Sequence, residues 1–264
     1  MSTHRLTSLG SRESVRRSAR FRLVPWVFGA AAIGCQIAYP LMSGPARTRL
    51  TVATVAVFFL ASVTHAALYR GVRAAAALAL VAAGGGLLVE AVGVRTGVPF
   101  GDYTYADTLG AQLFGVPLVI PLAWAMMAYP ALLAARALTD RWVPLVGGWG
   151  LASWDVFLDP QMVEAGHWAW RDPTPGLPGV PGVPLTNFAG WLVVAVVMMA
   201  LLHRVLPHES DSDALPATLY LWTYFSSVLG AAVFFGRPSV ALVGGLLMGA
   251  VAVPYAMTLW RRRG

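Results

Sequence analysis

The chain has 264 residues, of which 57% are hydrophobic and only 12% charged, with a mean hydropathy of +0.64. A soluble domain carries about a quarter charged residues, so this composition excludes a water-soluble fold and describes an integral membrane protein. The net charge of +7 rests on 19 basic residues, all arginine and placed between apolar runs. That is a pattern of topology signals and not of a phosphate-binding face, so nucleic acid is excluded as a partner and the lipid bilayer is the expected surroundings.

Apolar runs lie near 23–43, 50–69, 74–94, 114–137, 142–160, 185–206, 214–235 and 239–260. Each approaches the roughly 20 residues needed to cross a hydrocarbon layer of about 30 Å. The expected fold is all-α, a polytopic transmembrane helical bundle of about eight spans, with seven as the alternative because the fifth run ends in polar residues. Residues 1–22 read as a basic cytoplasmic segment, 23–260 as a single transmembrane helical domain, and 261–264 as a basic cytoplasmic tail. The first run is too long and uninterrupted for a signal-peptide core and reads as a retained helix. With eight spans and a cytoplasmic N-terminus, 14 arginines fall inside and 5 outside. The positive-inside rule then places both termini in the cytoplasm of a multi-pass cell-membrane protein. The long connections 95–113 and 161–184 fall together on the outer side. The second is rich in Pro and Gly, which favours extended backbone, and reads either as a linker or as a loop folded back over the bundle. The single Cys35 excludes an intrachain disulfide and a cysteine metal site.

The carboxylates Asp155 and Asp159 stand out in the fifth run. An ionisable group at membrane depth is costly and normally faces a protein interior. Spacing of i, i+4 puts both on one helix face, with Asp159-Pro160 expected to end the span. Glu90 lies in the outer part of the third run, and Tyr103 and Tyr105 in the loop after it. Trp168 and Trp170 (in HWAW, 167–170) follow the aspartates, and Asn187 and Trp191 open the sixth run from the same side. Groups scattered in sequence therefore share one depth. Plainer roles stay open for each: a turn cap for Asp159, a pair with Arg95 for Glu90, a helix N-cap for Asn187, and interfacial belt positions for the aromatic residues.

The aspartate pair resembles a weak form of the magnesium-binding motifs of membrane prenyltransferases. With one such pair, no lysine and only Arg171 in the neighbouring loop, diphosphate binding is poorly supported. Without a metal, two adjacent carboxyl groups can divide proton transfer between them, one donating and one accepting. Aromatic faces beside them would wall a polyene and stabilise passing positive charge.

The segments GVPFGDYTY (97–105), LGAQLFGVPLVIPLAWAMMAY (109–129), ASWDVFLDPQM (152–162), HWAW (167–170) and VPLTNFAGW (183–191) resemble the carotenoid-biosynthesis integral membrane protein family, which includes hydratases. The resemblance covers roughly 85–205. It implies a cofactor-independent carbon–oxygen lyase (hydro-lyase) that adds water to the terminal double bond of an acyclic carotenoid end group, leaving a tertiary alcohol. In that reaction Asp155 is expected as proton donor and Asp159 as the group that holds or deprotonates water, with Glu90 tuning the pair. Tyr103, Tyr105, Trp168, Trp170 and Trp191 would shape the polyene slot, and Asn187 would bind the incoming water. No metal or cofactor is called for. The expected partners are the carotenoid, entering from the bilayer, and other membrane enzymes of its pathway. The competing readings are a carotenoid cyclase, isomerase or prenyltransferase, a proton-coupled transporter, and a pigment scaffold.

Overall fold

A computed structural model describes residues 22–210 and 212–262. The basic segment 1–22 and the tail 261–264 are represented there by Arg22, Arg261 and Arg262, and the rest of both lies outside the described residues.

Among the described residues, eight helices account for the eight apolar runs. They are α1 (22–38, continued by a 3₁₀ turn at Tyr39–Leu41), α2 (Gly44–Arg70), α3 (Val72–Thr96), α4 (Val119–Leu138), α5 (Val143–Glu164), α6 (Leu185–Val205), α7 (Ala214–Phe234) and α8 (Pro238–Arg261). Seven of them are long and apolar enough to cross a membrane, and α5, which carries the two aspartates, is the one outside that set. The molecule is a helical membrane bundle. Its axis is α4, whose most apolar stretch is 83% buried against 17% for α1. Two helices widen into π turns, α3 at Ala79–Gly84 and α7 at Gly230–Phe234.

Two expected boundaries are corrected. The fifth span does not stop at Asp159-Pro160. Proline withholds one backbone donor and disfavours a helical interior, yet α5 carries Pro160 within it and continues to Glu164. The fourth span begins at Val119 and not at 114, because a small hairpin precedes it, β2 (Gln112–Leu113) paired with β3 (Val116–Pro117). Its turn has positive φ at Phe114 (56°) and Gly115 (85°), a geometry that a helix cannot contain.

The two ends of the bundle are built differently. At one, Arg70 pairs with Asp213 at 2.7 Å, Arg136 donates to the His203 carbonyl at 3.0 Å, and the Arg22 guanidinium lies over the Tyr69 ring. At the other, Glu164 pairs with Arg237, and the long connections meet. There β1 (Tyr103–Tyr105) pairs antiparallel with β4 (Trp168–Trp170), with Tyr103 opposite Trp170 and Tyr105 opposite Trp168. The start of the 161–184 connection is therefore folded back over the bundle. Strand side chains alternate between faces. Thr104 and Ala169 are exposed, while the four aromatic side chains turn together toward the helices, Tyr105 less completely covered than the others.

Candidate active site beneath the aromatic sheet

Two hydrogen-bonded clusters form under the β1–β4 sheet. In the first, Asp155 and Asp159 sit one turn apart on α5 and are 0% and 3% exposed. Asn187, in the first turn of α6, points its amide at both. Its Nδ2 donates to Asp155 Oδ2 at 2.8 Å and also to Asp159 Oδ2. No side chain caps the α6 N-terminus, so Asn187 serves the carboxylates and not its own helix end. Trp168 Nε1 donates to Asp159 Oδ1 at 3.0 Å. Asp155 Oδ1 is buried with no hydrogen-bond partner among the described residues.

Glu90 organises the second cluster from α3. Its Oε2 accepts from Tyr103 at 2.5 Å and Tyr105 at 2.8 Å, and its Oε1 accepts from Trp124 Nε1 at 3.0 Å. The alternative partner, Arg95, instead lies over the Phe114 ring. Burial, reinforced by the Glu90 charge, pushes both phenols up, so each remains a protonated donor to the carboxylate. Gly93, one turn beyond Glu90, lets the sheet come this close. A Cβ there would stand 2.9 Å from both the Phe100 ring and the Tyr103 hydroxyl oxygen.

A cavity of about 30 Å³ lies between the clusters, a volume that admits about one water. Eight of the nine residues singled out from the sequence line it: Glu90, Tyr103, Tyr105, Asp159, Trp168, Trp170, Asn187 and Trp191. The ninth, Asp155, touches the site through Asn187. The aromatic walls brace one another. Tyr105 meets Trp168 edge-on at 5.6 Å, Tyr103 lies 5.8 Å from Trp170, and Trp170 Nε1 donates to the Phe100 carbonyl at 2.8 Å. Beside the strand, His167 is held by Thr108 at 2.7 Å, and burial pushes its imidazole down.

Five lining residues were not singled out from the sequence. Trp124 stacks on Trp191 with centroids 3.9 Å apart and planes 10° from parallel, besides its bond to Glu90. Phe100, Ile120, Ala123 and Leu158 complete the wall. An indole N–H in an apolar helix needs a buried acceptor, which was the one available signal for Trp124. Nothing local marks Leu158.

A family model described as carotenoid biosynthesis protein matches residues 49–251. Bisanhydrobacterioruberin hydratase of Haloarcula japonica is 34% identical over 122 residues, which cover 43% of this chain and 39% of that protein. The match thus spans well under half of the relative's length. No solved structure matches the chain.

Proposed function

The chain belongs to the carotenoid biosynthesis protein family, and on that premise we propose that it adds water to the terminal double bond of an acyclic carotenoid end group by acid catalysis. One observation carries the reading: a single amide, Asn187, bridges two buried carboxyl groups beside an aromatic-walled cavity. The hydratase named among the relatives supports the reaction type.

The carboxyl pair acts as a unit. Asp159 lines the cavity and Asp155 lies behind it. The cavity as it stands holds about one water, so the alkene reaches Asp159 when the aromatic walls part. The acid proton is then delivered at Asp159, with Asp155 as the partner that holds or resupplies it, in place of the simpler expectation that Asp155 donates directly. The proton adds to the CH carbon of the terminal isopropylidene group, leaving a tertiary cation at the carbon that bears two methyls. Trp168, Trp191 and the tyrosines face that charge, and each aromatic face contributes about 0.5–2 kcal/mol. A water in the cavity bonds to the cation, and its released proton returns to the carboxylate pair. Both hydrogens of the Asn187 amide are committed to the aspartates, so its carbonyl oxygen is the part that accepts from the water. Trp168 fixes Asp159, and Glu90 positions the wall by holding Tyr103, Tyr105 and Trp124.

The substrate enters from the bilayer, with the aromatic sheet on the outer side and both termini cytoplasmic, in keeping with the arginine distribution. Reporter fusions after Arg171 and at the C-terminus test that orientation. The reaction is tested by expression in a host that accumulates an acyclic carotenoid, followed by mass spectrometry. Product heavier by one water is expected. A rearranged pigment of unchanged mass would assign a cyclase or isomerase and overturn the hydratase reading.

A further inference from the structure

The small cavity at Asp159 admits about one water, yet the group that reacts there is the end of a long chain whose body also needs a place. A second cavity of about 290 Å³ lies between α1, α2, α4, α5, α7 and α8, close to the range of small-molecule sites. Leu158 lines both spaces and precedes Asp159 in α5. Its side chain therefore stands between them.

The larger cavity suits a hydrocarbon. Thr51, Thr54, Thr223 and Ser226 in its lining each donate to a carbonyl of their own helix, and Arg237 pairs with Glu164. Most of its polar side chains are thus already occupied. The cavity also reaches the lipid. Ile37 of α1 and Phe225 and Phe234 of α7 line it while being 55%, 55% and 50% exposed. The wall on that side is weakly held, since α1 is the least buried of the seven apolar spans. Across from it, α7 widens into its π turn, and Gly230, Ala231 and Phe234 of that turn face the cavity. Such turns within helices are frequent at functional sites. Leu158 is only half-buried, and a leucine exchanges between staggered rotamers, so it can turn into the larger space.

We propose that the larger cavity holds the polyene body of the substrate, which enters sideways between α1 and α7, and that Leu158 is the gate through which its end group passes to Asp159. With Leu158 turned aside and the aromatic walls opposite parted, the terminal alkene meets the carboxyl pair while the chain behind it stays among apolar side chains. The assignment rests on the hydratase reading for the chemistry at the far side of the gate.

The test uses the full chain in lipid nanodiscs and reads binding apart from turnover. Lycopene, an achiral acyclic polyene, gains visible circular dichroism only when held in an asymmetric site, with empty nanodiscs as background. Wild type is expected to induce that signal. Ser227→Trp fills the larger cavity from α7 and should weaken lycopene binding and raise KM by about 10-fold, with a smaller effect on kcat, since overfilling an apolar space is costly. Ser227→Leu should shift both in the same direction, which keeps the result readable if the tryptophan prevents folding. Leu158→Trp blocks the gate and should lower kcat by about 10²-fold through misplacement of the end group, while the induced signal is retained. Leu158→Ala should lose at least about 10-fold less kcat than Leu158→Trp. No induced signal from wild type would assign the cavity to bilayer lipid and overturn the proposal. Unchanged binding in both Ser227 variants would overturn it too, as would equal loss of kcat in both Leu158 variants. A product of unchanged mass, with these binding and gating effects intact, leaves the proposal standing and counts against the hydratase reading alone.

Discussion

Asn187 Nδ2 lies 2.8 Å from Asp155 Oδ2 and also donates to Asp159, so one amide on α6 joins both carboxyl groups of α5. Removing it should leave two buried acid groups without a common donor. Asn187→Leu keeps the size of the side chain and removes both hydrogens and the carbonyl. Water addition is expected to fall by about 10²-fold at normal protein level, measured as hydrated pigment per unit of protein. Near-normal product would reduce Asn187 to a packing residue.

Glu90 is placed in a positioning role, because its hydrogen bonds go to Tyr103, Tyr105 and Trp124. Glu90→Gln turns an acceptor-only group into one that also presents two donors. The lost charge-assisted bonding should cost about 1–3 kcal/mol, seen as a lower apparent melting temperature in detergent, with turnover reduced but measurable. Gly93→Ala should weaken the same docking from the other side, since the added methyl meets Tyr103 and Phe100. A Glu90→Gln protein with unchanged melting and no turnover would instead make Glu90 a proton-transfer group.

Trp168 and Trp170 are neighbours in one strand with different partners, Asp159 for the first and the Phe100 carbonyl for the second. Trp168→Phe preserves an aromatic wall but frees Asp159 Oδ1. A loss of about 10-fold in turnover is expected, in line with one hydrogen bond to a charged group. Trp170→Phe should alter discrimination among polyene lengths more than rate. Identical behaviour of the two variants would argue that both are interfacial belt residues.

His167 links the sheet to pH. Burial lowers its pKa, so in acid the unfolded chain binds a proton that the folded one resists. Its contribution is fully present above the ordinary histidine value of about 6.5 and declines as pH falls through that value toward the depressed one. Hydrogen exchange at residues 104–108 and 167–170 should quicken over that window, and His167→Gln should remove the dependence. Exchange that is flat with pH in the parent would contradict it.

The helical spans were readable because membrane burial demands long apolar runs, and all eight appear as helices. The depth shared by Glu90, Asp155, Asp159 and Asn187 was readable from the same runs. The strands were harder. Tyr-Thr-Tyr and Trp-Ala-Trp each show the two-residue alternation of a strand, but three residues are too few to call one, and the pairing joins segments more than sixty residues apart. Proline at 160 misled in a different way, since the helix carries it and goes on to Glu164. The bond between Trp124 and Glu90, 34 residues apart, depends on how α3 packs on α4, which no local pattern encodes.

The most direct measurement of the central claim follows isotopes into the product. Purified protein in nanodiscs is given an acyclic carotenoid in deuterated water enriched in heavy oxygen. Acid-catalysed hydration predicts a tertiary alcohol carrying one heavy oxygen and one carbon-bound deuterium on the neighbouring carbon, with Asp155→Asn and Asp159→Asn each lowering its yield by about 10²- to 10⁴-fold. A hydroxylated product whose oxygen comes from dissolved oxygen gas, or full yield from both aspartate variants, would contradict the account.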